Sequence, residues 1–576
     1  MERIFSIVFC VCVFAFNTVN AQFLPHILTN AERQADYNPP AATGFTSPPD
    51  SDVRTPAEWE EIDGLCVRWN GTFARTTLRG IVKHAKEEVP VYIVTNQSYV
   101  DNIESDLQNN GITLDNIQFV VEPSNSIWFR DYGQWNVYTN DVDSLLWVDW
   151  IYNRPRPLDD VLPEALSDLL DIPLYQTLDA PYDMVNTGGN FMVDGFGTAF
   201  ASELVLEEND ATNDFGTSNH SEAAVDAIME DFMGIERYIK MPTLPYDGIH
   251  HIDMHMKLLD EETLLIGEYP SGVADGPQIE SNLDYVLNNF NSVFGTGYKI
   301  IRIPMPPENG AYPNTFGDYR TYTNSVFVNN TILVPIYEEQ WDTTALRIYR
   351  EALPGYNVVG IDCNEIITAS GAIHCITKAV SSDDPLLISH QPLQDTPYVQ
   401  FNYEVNARVQ HADGISNASV YWTTDTATGY AAMPMTLTGP SENTWTGSIP
   451  YQNAGEKVFY YVHAEASNGK QQVRPMPAPE GYWKFKVLED ITGIEEKNLT
   501  VSVYPNPSKG HFRISLNEAI VGGYSVYDLT GKAIVSGVPF NSNVLNLNLE
   551  NQKSGLYLLR LDWEGGQKSI RLHKLD

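Results

Sequence analysis

Between residues 55 and 384 the apolar side chains switch repeatedly between a helical and an extended period. Val100, Ile103 and Leu107 share one helical face, with Gly111 placed to end that helix. Val225, Ile228, Met229 and Phe232 repeat the i, i+3, i+4, i+7 spacing, as do Leu283, Val286, Leu287 and Phe290; Trp341, Ala345 and Ile348 make a fourth helix. Short apolar runs at 91–94, 119–121, 145–151, 300–303 and 358–361 predict buried strands between them. Stretches 190–201, 251–267 and 324–337 carry Gly, Asp or Asn at their centres and predict hairpins. A helix-plus-strands unit that recurs without literal sequence repetition predicts an α/β domain of modules round a centre.

Past about residue 382 the helical period disappears. Alternating strands at 399–405, 418–422, 444–449, 457–464 and 482–487, with turns at Asp413-Gly414 and Asn468-Gly469, predict an immunoglobulin-like β-sandwich that no cysteine staples. From about residue 498 a second, smaller all-β unit follows. It opens on Tyr504-Pro505-Asn506-Pro507, turns at Thr530-Gly531-Lys532, and continues through Gly555-Leu556-Tyr557-Leu558-Leu559-Arg560 to a basic last strand at 568–575.

At 576 residues the chain is too long for one core, in keeping with several domains. Its formal net charge of -40, from 75 acidic against 35 basic side chains, repels nucleic acid and anionic membranes and attracts cationic ligands such as arginine-rich peptides. Keeping a secreted protein soluble is the plainer use of that charge, and so acidic a chain also has room for a structural Ca²⁺ or Na⁺. Residues 1–21 read as a signal peptide, with Arg3, an apolar run at 4–16 and Val19-Asn20-Ala21 at the cleavage point. That run is too short to span a membrane, and no later stretch supplies a transmembrane segment. Residues 22–54, rich in Pro, Ala, Thr and Ser, read as a flexible arm or a removable pro-segment. Of five cysteines, Cys66, Cys363 and Cys375 outlast the signal. An odd number without metal-ligand spacing predicts at least one free thiol, although Cys363 and Cys375 could pair.

Candidate chemistry gathers round that thiol. His251 and Asp253, two apart on an expected strand, would point to one face, as a proton shuttle beside an anion; a solvated strand face is the plainer reading of the pair alone. Trp128-Phe129-Arg130-Asp131-Tyr132-Gly133 packs aromatics, a charge pair and a glycine into six residues, and Gly188-Gly189-Asn190 permits a close backbone approach. Asn324 begins an expected strand. Cys375 follows the small residues Ser370-Gly371-Ala372. Arg154 and Arg156 stand together after the 145–151 strand, either as a basic surface loop or as a carboxylate clamp.

Taken with Pro56-Ala57-Glu58-Trp59, these motifs resemble, in order, the guanidine-modifying (pentein) superfamily, particularly its agmatine-deiminase-like branch. The resemblance spans about residues 55 to 385 and implies a five-bladed α/β propeller with a central funnel-shaped site. It also implies that Asp131 and Asp253 bind a guanidinium, His251 is the acid/base, Cys375 the nucleophile and Asn324 a site-shaping residue, with no cofactor required. Agmatine-type members carry a Glu before the Gly-Gly pair, where this chain has Thr187. The arginine pair and domain order resemble the secreted porphyromonad-type peptidylarginine deiminases, in which Arg154 and Arg156 would take a peptide carboxylate and Trp128 would line the substrate's aliphatic stem. The C-terminal segment is similar to type IX secretion sorting domains, implying that machinery as a partner and a secreted or surface location.

The sequence therefore predicts five parts: a signal peptide (1–21), an arm or pro-segment (22–54), a catalytic domain (55–384), an immunoglobulin-like domain (385–490) and a sorting domain (491–576). The expected activity is hydrolysis of peptidyl arginine, C-terminal by preference, to citrulline and ammonia. A deiminase of agmatine or free arginine shares the core chemistry. Amidino transfer or cleavage of methylated arginine is a more distant enzymatic alternative, and a catalytically inactive surface adhesion protein is the alternative of another class.

Overall fold

Five copies of one unit, a hairpin followed by a helix and a strand parallel to the hairpin's second strand, make up the region from residue 53 to 381. A computed structural model of the chain describes residues 24–35, 37, 39–212, 215–312, 319–397, 399–489, 501–528, 531–563 and 566–575. The expected signal peptide lies outside them.

One unit pairs Met192–Val193 with Thr198–Ser202, then runs through helix Glu222–Met233 to the parallel strand Arg237–Met241. The next pairs Met256–Asp260 with Thr263–Glu268, helix Gly276–Asn289 and strand Lys299–Pro304. The third pairs Val326–Val328 with Thr331–Ile336, helix Glu339–Ala352 and strand Asn357–Asp362. Trp135–Thr139, Leu145–Tyr152, helix Leu162–Leu170 and strand Leu174–Thr177 form another. The remaining unit is assembled from both ends of the region. Thr377–Ser381 pairs antiparallel with Ile62–Arg68, which continues through helix Arg75–Ala85 to the parallel strand Val91–Thr95. Chain closure of this kind costs loop entropy, offset by wholly buried strands such as Leu145–Tyr152.

The helices form for local reasons. Ser221 accepts a cap hydrogen bond from the Ala224 amide (3.3 Å) at the start of Glu222–Met233, and Gly234, at φ +67°, ends it in the left-handed region. Val225, Ile228, Met229 and Phe232 are all buried, as their spacing requires.

Residues 387–486 form two antiparallel sheets with a shared apolar core that includes Val405, Val420, Val458 and Val462. One sheet contains Tyr403–Gln410 and Thr444–Ile449; the other contains Ile415–Thr423 and Lys457–Ala466. Polar contacts fix this region to the five-unit region: the Arg474 guanidinium donates to the Trp59 carbonyl (2.9 Å) and Lys470 pairs with Glu61 (2.8 Å). The chain divides into two compact units, 1–487 and 488–576. The second is all-β, built from Val501–Tyr504, His511–Asp528, Ala533–Asn548, Gly555–Trp563 and Gly566–Lys574, over a core that includes Ile514, Leu559, Leu561 and Leu572.

Two expectations are corrected and, in keeping with the expected free thiol, one alternative is closed. His251 and Asp253 are not on a strand: the strand begins at Met256, and Ile252–Met254 is a 3-10 turn that starts straight after His251. Ile252, Met254 and Met256 alternate as a strand would, but the backbone closes on itself instead, the His255 amide donating to the Ile252 carbonyl (3.1 Å). Cys363 and Cys375 are not paired; both are free and buried. The stretch before residue 55 is no loose arm where it is described. Phe45 exchanges backbone hydrogen bonds with the Leu174–Thr177 strand, and His26 is fully buried.

Candidate functional site

The site residues come from one structural position used five times. Asp131, Gly189, Asp253, Asn324 and Cys375 each lie two to four residues ahead of the first strand of a unit, four of them in a single helical turn. These turns are Phe129–Tyr132, Gly188–Asn190, Ile252–Met254 and His374–Ile376. The first packs against the second and fourth, and the second against the third, so the turns converge.

Glycines permit that convergence. A Cβ at Gly189 would lie 2.3 Å from His251 Nδ1 and 3.2 Å from an Asp131 oxygen; one at Gly188 would lie 2.0 Å from the Arg130 carbonyl oxygen. At Gly371 a Cβ would meet the Trp128 ring at 2.4 Å and Cys375 Cβ at 3.2 Å.

Cys375 Sγ accepts a hydrogen bond from the Asn324 amide at 3.2 Å and lies 3.8 Å from Asp253 Oδ2. Asn324 Oδ1 accepts in turn from the His374 backbone amide (3.0 Å), so one side chain fixes both the thiol and its loop. Burial, followed by the charges of Asp253 and Asp131, pushes the thiol well above its ordinary pKa. His251 is completely buried; its Nε2 lies 3.3 Å from Thr187 Oγ1 and its Nδ1 3.6 Å from Asp131 Oδ1. Burial lowers its pKa to about 3, so the ring is neutral at pH 7. Burial would raise Asp131, but His26, His251 and Arg154 outweigh it and hold the carboxylate below its usual range.

One oxygen of each carboxylate, Asp131 Oδ1 and Asp253 Oδ1, is buried without a hydrogen-bond partner among the described residues, as is His251 Nδ1. Two buried anionic acceptors beside a thiol suit a planar cation with several N–H donors, since unmet buried charge is costly. The His26, Asp131 and His251 ligand atoms lie within 4.8 Å of one another, as a cation site requires.

The structure brings every expected site residue to this place. Trp128 is buried and stacks on His26 with centroids 4.2 Å apart and planes 6° apart. Arg154 and Arg156 are buried, not part of a basic surface loop. Arg154 Nε donates to the His26 carbonyl (3.2 Å), and Arg156 donates to the Pro25 carbonyl and to Glu32, both at 2.7 Å. Asp159, just beyond them, accepts from the Asn125 and Ser126 amides (2.7 and 2.9 Å) and so holds the loop leading to Trp128.

Sequence reasoning gave no role to Glu58, His374 or His26. His374 Nδ1 lies 2.7 Å from Asp253 Oδ2 and its Nε2 2.5 Å from Glu58 Oε1, while Glu58 also pairs with Arg130 (3.1 Å) and Lys257 (2.7 Å). Burial opposes the Glu58 charge, but His374, Lys257 and Arg130 hold its pKa far below normal. The adjacency of His374 to the nucleophile candidate was the available signal. Glu58 gave only its place in a motif, and His26, in a stretch without periodicity, gave none.

Known proteins resemble this chain. Residues 54–380 match the family model described as Porphyromonas-type peptidyl-arginine deiminase, and residues 502–574 match a secretion-system C-terminal sorting domain. Proteins of Shewanella frigidimarina and Shewanella baltica named as agmatine deiminases are each 24% identical over 383 residues, covering 59% of this chain and 98% of theirs. The solved agmatine deiminase of Enterococcus faecalis has a similar fold (TM-score 0.50, 19% identity, 59% of this chain and 99% of that one). So does a Porphyromonas gingivalis structure named as an arginine deiminase (TM-score 0.50, 20% identity, 57% and 99%). The sorting domain marks the protein for secretion or surface display by the type IX system, and among the described residues no helix is long and apolar enough to cross a membrane. Its model covering more than half the length, the chain belongs to the Porphyromonas-type peptidyl-arginine deiminase family, hydrolases of guanidino C–N bonds related to agmatine deiminases.

Proposed function

We propose that this protein deiminates arginine at the C-terminus of peptides, releasing ammonia and leaving citrulline. The observation that carries the reading is the pair of buried carboxylates, each with an unpartnered oxygen, flanking Cys375 and His251. Asp131 and Asp253 grip the guanidinium, and its positive charge offsets the two anions that keep the thiol protonated. Ionisation of Cys375 is thereby tied to substrate binding, with neutral His251 accepting the proton.

Sγ attacks the guanidinium carbon, giving a tetrahedral adduct. His251 returns the proton to the departing nitrogen, ammonia leaves, and a thiouronium remains on Cys375. Water attacks the same carbon, His251 takes its proton, and the C–S bond breaks to free the thiol and a ureido group. Asn324 positions Sγ, and Trp128 lines the aliphatic stem. No metal or organic cofactor enters these steps. The five repeated units are read as blades of a propeller round this centre, and the two-sheet region as immunoglobulin-like.

Arg154 and Arg156 support the C-terminal preference, being buried guanidinium groups that already bind main-chain carbonyl oxygens. The names of the relatives favour agmatine as the second reading. Turnover of a peptide ending in Arg, one with internal Arg, and agmatine separates the two. The first is expected to have the highest kcat/KM, and agmatine as best substrate overturns the peptidyl reading.

A further inference from the structure

We propose that residues 24–35 are an intramolecular ligand of the substrate funnel, with His26 seated where the substrate guanidinium and stem would lie. The proposal rests on the reading of the site as one for a guanidinium next to a peptide backbone. His26 is fully buried, although nothing in its local sequence demands it. Its ring lies flat on Trp128, meets His251 edge-on with centroids 4.9 Å apart, and places Nε2 2.5 Å from Asp131 Oδ2. Nδ1 lies 2.8 Å from the Ser370 carbonyl oxygen. Both ring nitrogens thus face oxygen acceptors, as the N–H groups of a bound guanidinium would. A planar ring with two nitrogens at its edge is the closest match in shape to a guanidinium that a side chain other than arginine can offer.

The main chain of the segment completes the likeness. The Leu24 carbonyl accepts from Trp128 Nε1 (3.0 Å), that of Pro25 from Arg156, and that of His26 from Arg154, while the His26 amide donates to the Ala369 carbonyl (3.2 Å). Glu32 then places a carboxylate on Arg156 at 2.7 Å, the chemistry expected of a substrate's C-terminus. Ile27 lines a neighbouring pocket together with Leu244, Met254, Tyr269 and Met305.

The far end of the segment is tied down. Tyr37 donates to the Tyr152 carbonyl (2.5 Å), the Thr43 and Gly44 amides both donate to Gln176 Oε1 (2.9 and 2.7 Å), and Phe45 pairs with the strand beside it. A tether this short gives the ligand an effective concentration on the order of millimolar. The full chain is therefore latent, and cutting between the ligand and its anchor at residues 43–45 activates it.

The test uses the full chain with a protease recognition sequence in place of residues 39–42, cut after folding, alongside uncut His26→Ala. Two readouts are followed: kcat/KM on an Arg-terminated peptide, and labelling of Cys375 by 2-chloroacetamidine, a cationic probe needing no turnover, with Cys375→Ala as blank. Cutting and release of the fragment, and His26→Ala without cutting, are each expected to raise labelling by roughly tenfold or more, the loss of a charge-assisted hydrogen bond. Synthetic peptide 22–37 at millimolar concentration is expected to reverse the gain by raising KM, and the same peptide with Ala at position 26 to do so less. Unchanged labelling after fragment release, or a peptide that does not slow it, overturns the proposal. Faster labelling without turnover of any guanidino substrate sinks the deiminase reading and leaves this one standing; equal turnover and labelling in all forms does the reverse.

Discussion

Each site residue has one dominant contact, and its removal should have a distinct signature. Cys375→Ala is expected to abolish ammonia release from the cut protein, and background equal to that of the cut parent protein would revive an adhesion role without catalysis. Asn324→Ala removes the group that both donates to Sγ and holds the His374 amide. It should lower kcat by about 10²-fold, as loss of a positioned donor does elsewhere, with little change in KM. Arg154→Ala should instead raise KM for carboxylate-bearing substrates while sparing agmatine. An unchanged KM ratio in steady-state kinetics would remove the basis for a C-terminal preference. Glu58 acts through others. With the buried cations Arg130 and Lys257 on it, Glu58→Gln leaves buried charge uncompensated and should destabilise by about 3–5 kcal/mol, seen in thermal melts.

At the scale of elements, the five short turns ahead of five hairpins determine whether those residues meet. Gly189 is the tightest joint, since a methyl group there would sit 2.3 Å from His251 Nδ1. Gly189→Ala is expected to lower kcat about 10²-fold through a displaced base while the melting profile stays close to that of the parent. A loss of folding instead would show that the turn serves stability before chemistry. Most of the elements were legible in the sequence, because the helices at Val100, Val225, Leu283 and Trp341 carry apolar stripes and the strands between them are short apolar runs, buried almost throughout at Val91–Thr95 and Leu145–Tyr152 and only in part at Lys299–Pro304 and Asn357–Asp362. The turns were not legible. A 3-10 turn such as Ile252–Met254 is too short to carry a period, so His251-x-Asp253 looked like an alternating strand when its geometry is set by packing against Gly189.

On the scale of the whole molecule, charge and modularity make separate predictions. Burial raises Asp160, Glu208 and Glu261 to about 7 and Asp159 and Asp247 to about 6. The folded chain therefore holds protons that the unfolded chain, with carboxyls near about 4, has released, and stability falls as pH rises through that window. His251 at about 3 and His255 and His390 at about 4 work the other way, but only below about 6.5, where the unfolded chain begins to protonate its histidines. With a net charge of -40 relieved in the same direction, the melting temperature is expected to be higher at pH 6 than at pH 8 by calorimetry, and the reverse order would contradict these directions. The sorting unit has a core of its own, so a chain ending at Val487 should match the full chain in deiminase activity, cut or uncut, yet fail to leave the producing cell, as assay of medium and cell fractions would reveal.

The sequence by itself determined the periodic elements, the all-β tail and the kinds of side chain available for chemistry, because periodicity, turn residues and unpaired thiols are local properties. Only the tertiary structure decided which groups share a charge. That includes Glu58 with His374, Arg130 and Lys257, and above all His26 with Asp131 from 105 positions away. Such pairings are set by the packing of the repeated units' turns against one another and by the cost of burying a charge alone. Neither leaves a mark on the residues next to it in the chain.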